Sequence, residues 1–267
     1  MADTNLQATR TSLLTALGIS LNWGDDPDVW MLDSAYAARG QKCIDFGLSR
    51  FYNGELLPNE RVVWKWSFLT PIFDFSLTDG TTLYDLPDDF NGFINNELNY
   101  SPDTRKSWYP LSLVSLPRLQ KERQIYTGRV GAPTMAAVYP VAGDGSEGQR
   151  WKLDVFPEPD ADYGVLGQYY SNPYQITGLK PYPLGGQYSS VALECAVCAA
   201  GELIINGNPA GPYETQFKRS YLAAVHHDRQ YVAAQKKMGM NYDQGRLESP
   251  YVRSVLPVTY NDVEYNG

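Results

Sequence analysis

The chain has 267 residues, of which 43% are hydrophobic, and 30 Asp and Glu against 22 Lys and Arg give a net charge of -8 and a pI near 4.8. That length and apolar content can bury a core, which argues against disorder throughout, while the acidic balance argues against wrapping a phosphate backbone, since such binding rests on clustered Lys and Arg. No run reaches the roughly 18 apolar residues of a membrane span, and the opening MADTNLQATR has an acid where a secretion signal would be basic, so the chain is expected to stay in the cytoplasm that made it.

The first predicted helix opens with Thr4 as N-cap and Gln7 completing a capping box, and it stops at Gly18. Leu6, Leu13, Leu14 and Leu17 give it one apolar side. Asp26 then caps a longer helix, with Pro27 in its first turn, running to about Asn53. Trp30, Ala37, Ile44 and Phe51 recur every seven residues beside Leu48, forming one stripe to bury. Gly40 and Gly47 interrupt it where a neighbouring backbone could come close.

From Val62 the period shortens. DFSLTDGTTLYDL reads as two strands joined in a hairpin at Thr78-Asp79-Gly80, where Asp-Gly supplies positive φ. Further strands are predicted at Gly92 to Tyr100, Pro133 to Tyr139, Trp151 to Phe156 and Gly164 to Tyr170, with a short helix within Pro110 to Gln124. Helical pattern returns at Gln187 to Ile205, apolar nearly all round and so expected between other helices. Tyr213 to Met238 follows, with Tyr213, Phe217, Tyr221, Val225 and Val232 on one face and Lys218, Arg219, Arg229, Lys236 and Lys237 elsewhere. After Gly239 there is no helical period, yet Tyr242, Tyr251, Val255, Leu256, Val258, Tyr260 and Tyr265 punctuate a polar segment. Spaced aromatics favour docking over disorder.

The expected fold is α+β: a helical bundle built from N- and C-terminal helices, an inserted antiparallel β-domain, and an extended C-terminal tail. Its boundaries are 1–60 for the first half of the bundle, 61–185 for a sandwich- or barrel-like β-domain, 186–240 for the second half and 241–267 for the arm.

The residues point to no catalytic, cofactor or metal site. Cys195 and Cys198 form a C-x-x-C, but it lies mid-helix without the second pair that a zinc ribbon needs, so both read as small buried hydrophobes. His226 and His227 point about 100° apart on a helix, and the chain has no third histidine. Asp25/Asp26 is explained by capping, Asp88/Asp89 follows Pro87 in a turn, and Glu158 with Asp160 flanks another turn. There is no G-x-S-x-G, no phosphate-binding glycine loop with Lys and no dinucleotide fingerprint.

Several pieces in a fixed order carry a resemblance. They are WKWSFLTP at Trp64 to Pro71; Gly80, Tyr84, Leu86, Pro87, Asp89 and Phe90 of a G-x-x-x-Y-x-L-P-x-D-F element; and Gly131 to Pro133 before the strand TMAAVYP. A strand pair around Phe156-Pro157-Glu158-Pro159 then leads into YYSNP and two amphipathic helices. This order resembles the adaptor, or head-to-tail connector, proteins of tailed bacteriophages, over roughly Val29 to Met238. The resemblance implies a structural virion protein at the head-tail neck. It would form a ring, commonly of twelve copies, between the portal and the tail or nozzle, with packaged DNA passing through unbound. It also implies a portal-binding arm, for which Tyr242, Arg246, Tyr251, Arg253, Leu256, Tyr260 and Tyr265 are the candidates. For contacts between neighbouring copies, the charged face of Tyr213 to Met238 and the stripe of the Asp26 to Asn53 helix are the surfaces to examine. Two other readings are another neck or tail-tube ring protein, and a carbohydrate-binding or carbohydrate-active β-protein suggested by the many aromatics and paired acids.

Overall fold

The computed structural model describes residues 7–54, 63–101, 109–142, 148–237, 258–260 and 263–265. The fold is mixed α and β, with six α-helices and a curled eight-stranded sheet among these residues. The chain divides into two compact units, Met1–Val225 and His226–Gly267.

In the first unit, helix α1 (Arg10–Ser20) starts at Thr9, not at Thr4, which lies outside the described residues. The Thr9 hydroxyl accepts from Ser12 N at 3.1 Å while the Ser12 hydroxyl accepts from Thr9 N at 2.9 Å, closing the reciprocal box. Gln7 is used elsewhere: its amide donates to the Pro183 carbonyl at 3.1 Å. The helix also runs two residues past Gly18. A Cβ there would sit 2.3 Å from the Gly24 carbonyl and 2.7 Å from Trp30 Nε1, so this glycine admits the returning chain rather than ending the helix.

The predicted second helix is two. Asp26 caps α2 (Pro27–Trp30) by accepting from Asp28 N, and Asp33 caps α3 (Ser34–Asn53) by accepting from Ala35 N. A second carboxylate cap, seven residues on, restarts the helix after a break at Met31–Asp33. Ile44, Leu48 and Phe51 of the predicted stripe are buried on α3. Gly47 is where backbones meet, since a Cβ on it would lie 2.7 Å from Val197 Cα in α5 (Gly186–Ile204). Gly40 instead receives the Trp30 ring, 3.0 Å from where its Cβ would be.

Helix α5 buries most of its circumference, including Leu193, Ala196, Val197 and Ala200. Helix α6 (Pro212–Lys237) begins in the first unit and turns Phe217, Tyr221, Ala224 and Val225 inward. The corner between them uses a buried carboxylate: Glu202 Oε2 accepts from Tyr213 N at 3.1 Å, satisfying an orphan donor at the start of α6. Gly211 leaves room, because a Cβ there would lie 2.1 Å from that oxygen.

The strands of the first unit are β1 (Ile72–Leu77), β2 (Leu83–Asp85), β3 (Phe90–Phe93), β4 (Glu97–Tyr100), β5 (Leu111–Leu113), β6 (Met135–Pro140), β7 (Trp151–Phe156) and β8 (Tyr163–Ser171). Their order is β1-β8-β4-β5-β6-β7-β2, with β3 also on β8, and only the β5–β6 pair is parallel. Two expectations are overturned. β1 and β2 form no hairpin, since β1 pairs with β8 and β2 with β7. The strands around Phe156-Pro157-Glu158-Pro159, where the Phe156–Pro157 bond is cis, are likewise consecutive but not paired. Asp79-Gly80 still supplies its positive φ, of 70°, but at a corner: the Tyr84 hydroxyl accepts from Thr78 N and reaches the carbonyls of Thr78 and Thr81. One tyrosine thus closes the turn in place of the ladder that a hairpin would have used.

All eight strands supply side chains to one core, including Phe73, Tyr84, Phe90, Leu98, Leu111, Ala136, Val155 and Val165. Helix α4 (Leu116–Ile125) lies on the other face, where Leu119 packs with Ala137 and Phe156. Arg123 of α4 grips the buried Asp154 through both guanidinium nitrogens, at 3.1 and 2.5 Å. A second core collects α1, α3, α5 and the first half of α6 with Trp66, Leu69 and Ile176, which come from the two segments joining the helices to the strands.

In the second unit, β9 (Val258–Tyr260) and β10 (Val263–Tyr265) pair antiparallel.

Candidate assembly surfaces

The motif residues behave as scaffold. Trp66 is 1% exposed, stacks on Phe51 at 4.5 Å and donates from Nε1 to the Phe51 carbonyl at 3.0 Å, fixing the point where the chain leaves the helices for β1. Leu86 and Phe90 are buried, and Phe90 stacks on Tyr169 at 5.6 Å. Asp89 accepts from the Tyr169 hydroxyl at 3.0 Å, and its own carbonyl accepts from Asn172 N at 2.6 Å. Gly131 N donates to the Glu158 carbonyl, and the Pro133 carbonyl accepts from the Tyr100 hydroxyl. Each position with fixed chemistry in the sequence therefore has a partner within the fold.

The acids are placed the same way. Asp88 pairs with Arg150, and Asp160 accepts from the Tyr163 hydroxyl. Burial, and then donation to Asp160, pushes the Tyr163 phenol up to about 12; burial and donation to Asp89 do the same for Tyr169. Cys195 and Cys198 lie mid-helix as expected, Cys198 buried but Cys195 only half-buried, and burial raises Cys198 to about 12 and Cys43 to about 11, far from the thiolate form that reactivity needs. Among the described residues no three of His, Cys, Asp and Glu could hold a metal, and no helix is long and apolar enough to cross a membrane. An open groove of about 440 Å³ between α3 and the segment after β8, lined by Asp45, Tyr52, Asn172 and Tyr174, is bridged at its rim by Gln175 donating to Asp45 at 2.9 Å.

The two surfaces singled out for contacts between copies fare differently. The α3 stripe is spent inside its own subunit, with Ile44 and Phe51 fully buried, so it is not free for a neighbour. On α6, Lys218 and Arg219 are exposed, though Lys218 lies 3.2 Å from Glu214, which Arg50 of α3 also holds at 2.8 Å. Those cations keep the Glu214 carboxyl below the usual range. Of the arm candidates, Tyr242, Arg246, Tyr251, Arg253 and Leu256 lie outside the described residues, as do Lys236 and Lys237 for their side chains. Tyr260 ends β9 and Tyr265 ends β10, in register with Val263 and Val258.

Comparison with known families decides the assignment: the model of the SU10 adaptor protein matches residues 9–246. The chain belongs to the SU10 adaptor protein family. This is a family of structural phage adaptors and not of enzymes. The match begins at the first residues of the Thr9 cap, some twenty residues before the resemblance visible in the sequence, and ends at Arg246. Tyr242 and Arg246 thus fall inside it, while Tyr251, Arg253, Leu256, Tyr260 and Tyr265 fall beyond it. No curated protein matches the sequence.

Proposed function

We propose that this adaptor forms a ring, of twelve copies, between the portal and the tail or nozzle at the neck of the virion, and extends the channel through which DNA leaves. The observation that carries the reading is the family match over residues 9–246. In this reading the helices act as one bundle carrying the β-domain, and the arm from Asn241 to Gly267 docks on the portal. The chemistry of the fold supports a mechanical role, because the acids and tyrosines of its motifs are engaged in turns, caps and ion pairs. The net charge of -8 suits a channel wall that conducts DNA without holding it, since an excess of acidic over basic residues disfavours the phosphate contacts that would stall ejection.

Electron microscopy of the cognate portal ring incubated with the full-length chain tests this. A second ring of density on one face of the portal, with the portal's symmetry, is the expected result. Portal particles that stay unchanged at saturating protein would overturn it.

A further inference from the structure

Two exposed patches of the first unit have opposite characters. The first is the corner of α2 and α3. Val29, Leu32 and Tyr36, spaced three and four apart, are 64, 85 and 36% exposed. Around them lie Asp25, Asp26, Asp28 and Asp33, all exposed, and the first cation after them is the exposed Arg39, one turn beyond Tyr36 on α3. The second is the end of α4 and the turn after it. Gln124 to Val130 is exposed at every residue, with Ile125, Tyr126 and Val130 at 58, 50 and 56%. Leu116 to Val130 carries Arg118, Lys121, Arg123 and Arg129 against Glu122 alone, and Arg123 is already held by Asp154. Arg129 lies over the Tyr126 ring at 5.7 Å, which places a cation on the apolar surface itself. In a chain of net charge -8, this is a locally positive surface beside exposed apolar side chains, with the exposed Glu158, bridged to Val130, as the acid at its edge.

We propose that the acidic corner at Val29, Leu32 and Tyr36 seats on the basic end of α4, at Ile125, Tyr126 and Val130, of the next copy in the ring. The inference rests on the ring reading and adds the contact that would build it. Each patch has an apolar centre with charge around it, the composition of a protein interface. Like charges exclude the symmetric alternatives: two acidic corners repel each other, and so do two basic α4 ends. What remains is a head-to-tail contact between two different faces, the kind that closes a ring. The charges steer and set register, and the six apolar side chains supply the area.

Charge reversal at exposed residues tests it. Asp25→Lys with Asp28→Lys inverts the corner and spares the caps Asp26 and Asp33; Lys121→Glu with Arg129→Glu inverts the α4 end and spares the Arg123–Asp154 pair. Each pair of substitutions, in the full chain with circular dichroism unchanged, is expected to lower ring formation on the portal at least ~10-fold. A chain carrying all four is expected to recover it, because attraction is restored with the signs exchanged. Wild-type rings together with unaffected single-side variants would overturn this contact and leave the ring reading standing. Loss without recovery in the four-substitution chain would overturn it too, and would assign the patch to another partner such as the portal. Absence of rings from the wild-type chain, with or without the portal, would remove the ring reading and this contact with it.

Discussion

The helical core and the β core of the first unit are held together by different means. Among the helices, close approach recurs: Gly18, Gly47, Gly201 and Gly211 each stand where a methyl group would meet another part of the fold within 2.7 Å, as against Gly167 in the sheet, and Trp66 plugs the junction. In the β core, the sheet curls around aromatic rings whose hydroxyls reach turns and carboxylates, as at Tyr84, Tyr100, Tyr163 and Tyr169. A helical pair gains by removing side chains so that backbones meet. A curled sheet has a wider interior to fill, and large side chains with polar tips fill it while pinning the loops at its ends.

Substitutions can break this contrast, and the largest effect is expected at the junction. Trp66→Ala removes a fully buried ring stacked between Phe51 and Phe68 and should cost about 4 kcal/mol in denaturant unfolding. Gly47→Ala should cost about 3 kcal/mol, because the new methyl meets α5 backbone, which cannot turn aside as a side chain can. Gly178→Ala has nothing within 4 Å and should stay within about 0.5 kcal/mol of wild type; equal losses at both glycines would show that close approach is not what the helical core depends on. In the β core, Arg123→Ala leaves Asp154 buried without its cation and should cost about 2 kcal/mol, part of which is recovered when Asp154→Ala is added. Tyr84→Phe keeps the ring and loses the corner's hydrogen bonds, for about 1 kcal/mol and faster amide exchange at Thr78.

The smallest effects sharpen the contrast by pH. Arg50 first, and then Lys218, depress the Glu214 carboxyl below its unfolded value, so the stability it adds is present above that value and is lost as pH falls through the folded one. Glu214→Gln should flatten the acid limb of the stability curve. Tyr163 and Tyr169 behave oppositely. Their phenols are raised by burial from an unfolded value near 10 to about 12, so the stability they add is full below 10 and is lost as pH rises through 12. Acid should loosen the α3–α6 tie before the β core, whereas alkali should weaken both cores, since burial also raises Cys43 to about 11 and Cys198 to about 12 among the helices, as followed by Tyr absorbance and circular dichroism.

Legibility in the sequence followed the same division. The stripe of Ile44, Leu48 and Phe51, the close approach at Gly47 and the buried α5 were all readable, because helical burial repeats every 3.6 residues and depends on near neighbours. The helix break at Met31–Asp33 escaped notice since Trp30 and Ala37 kept the heptad spacing across it, although Asp33 was available as a second cap. Strand positions were readable from composition for β1, β2, β6, β7 and β8, but the stretch read as one strand over Gly92 to Tyr100 is two, β3 and β4, and the three-residue β5, β9 and β10 carried no signal. Strand partners were not, because Asp79-Gly80 fits a corner as well as a hairpin, and only the Tyr84 hydroxyl, closing back over the turn, decides between them. The exposed Val29, Leu32, Ile125 and Val130 carried a signal that went unused: apolar residues off the buried stripe, beside segments in which one charge predominates.

The most direct test of the adaptor role is co-sedimentation of the cognate portal ring with the full-length chain and with a chain ending at Gly239. Full-length protein pelleting with the portal in ring stoichiometry, with the shortened chain left in the supernatant, is the expected result for an adaptor that docks through its arm. Failure of the full-length chain to pellet at any portal concentration would contradict the adaptor role, and equal pelleting of both chains would contradict the arm.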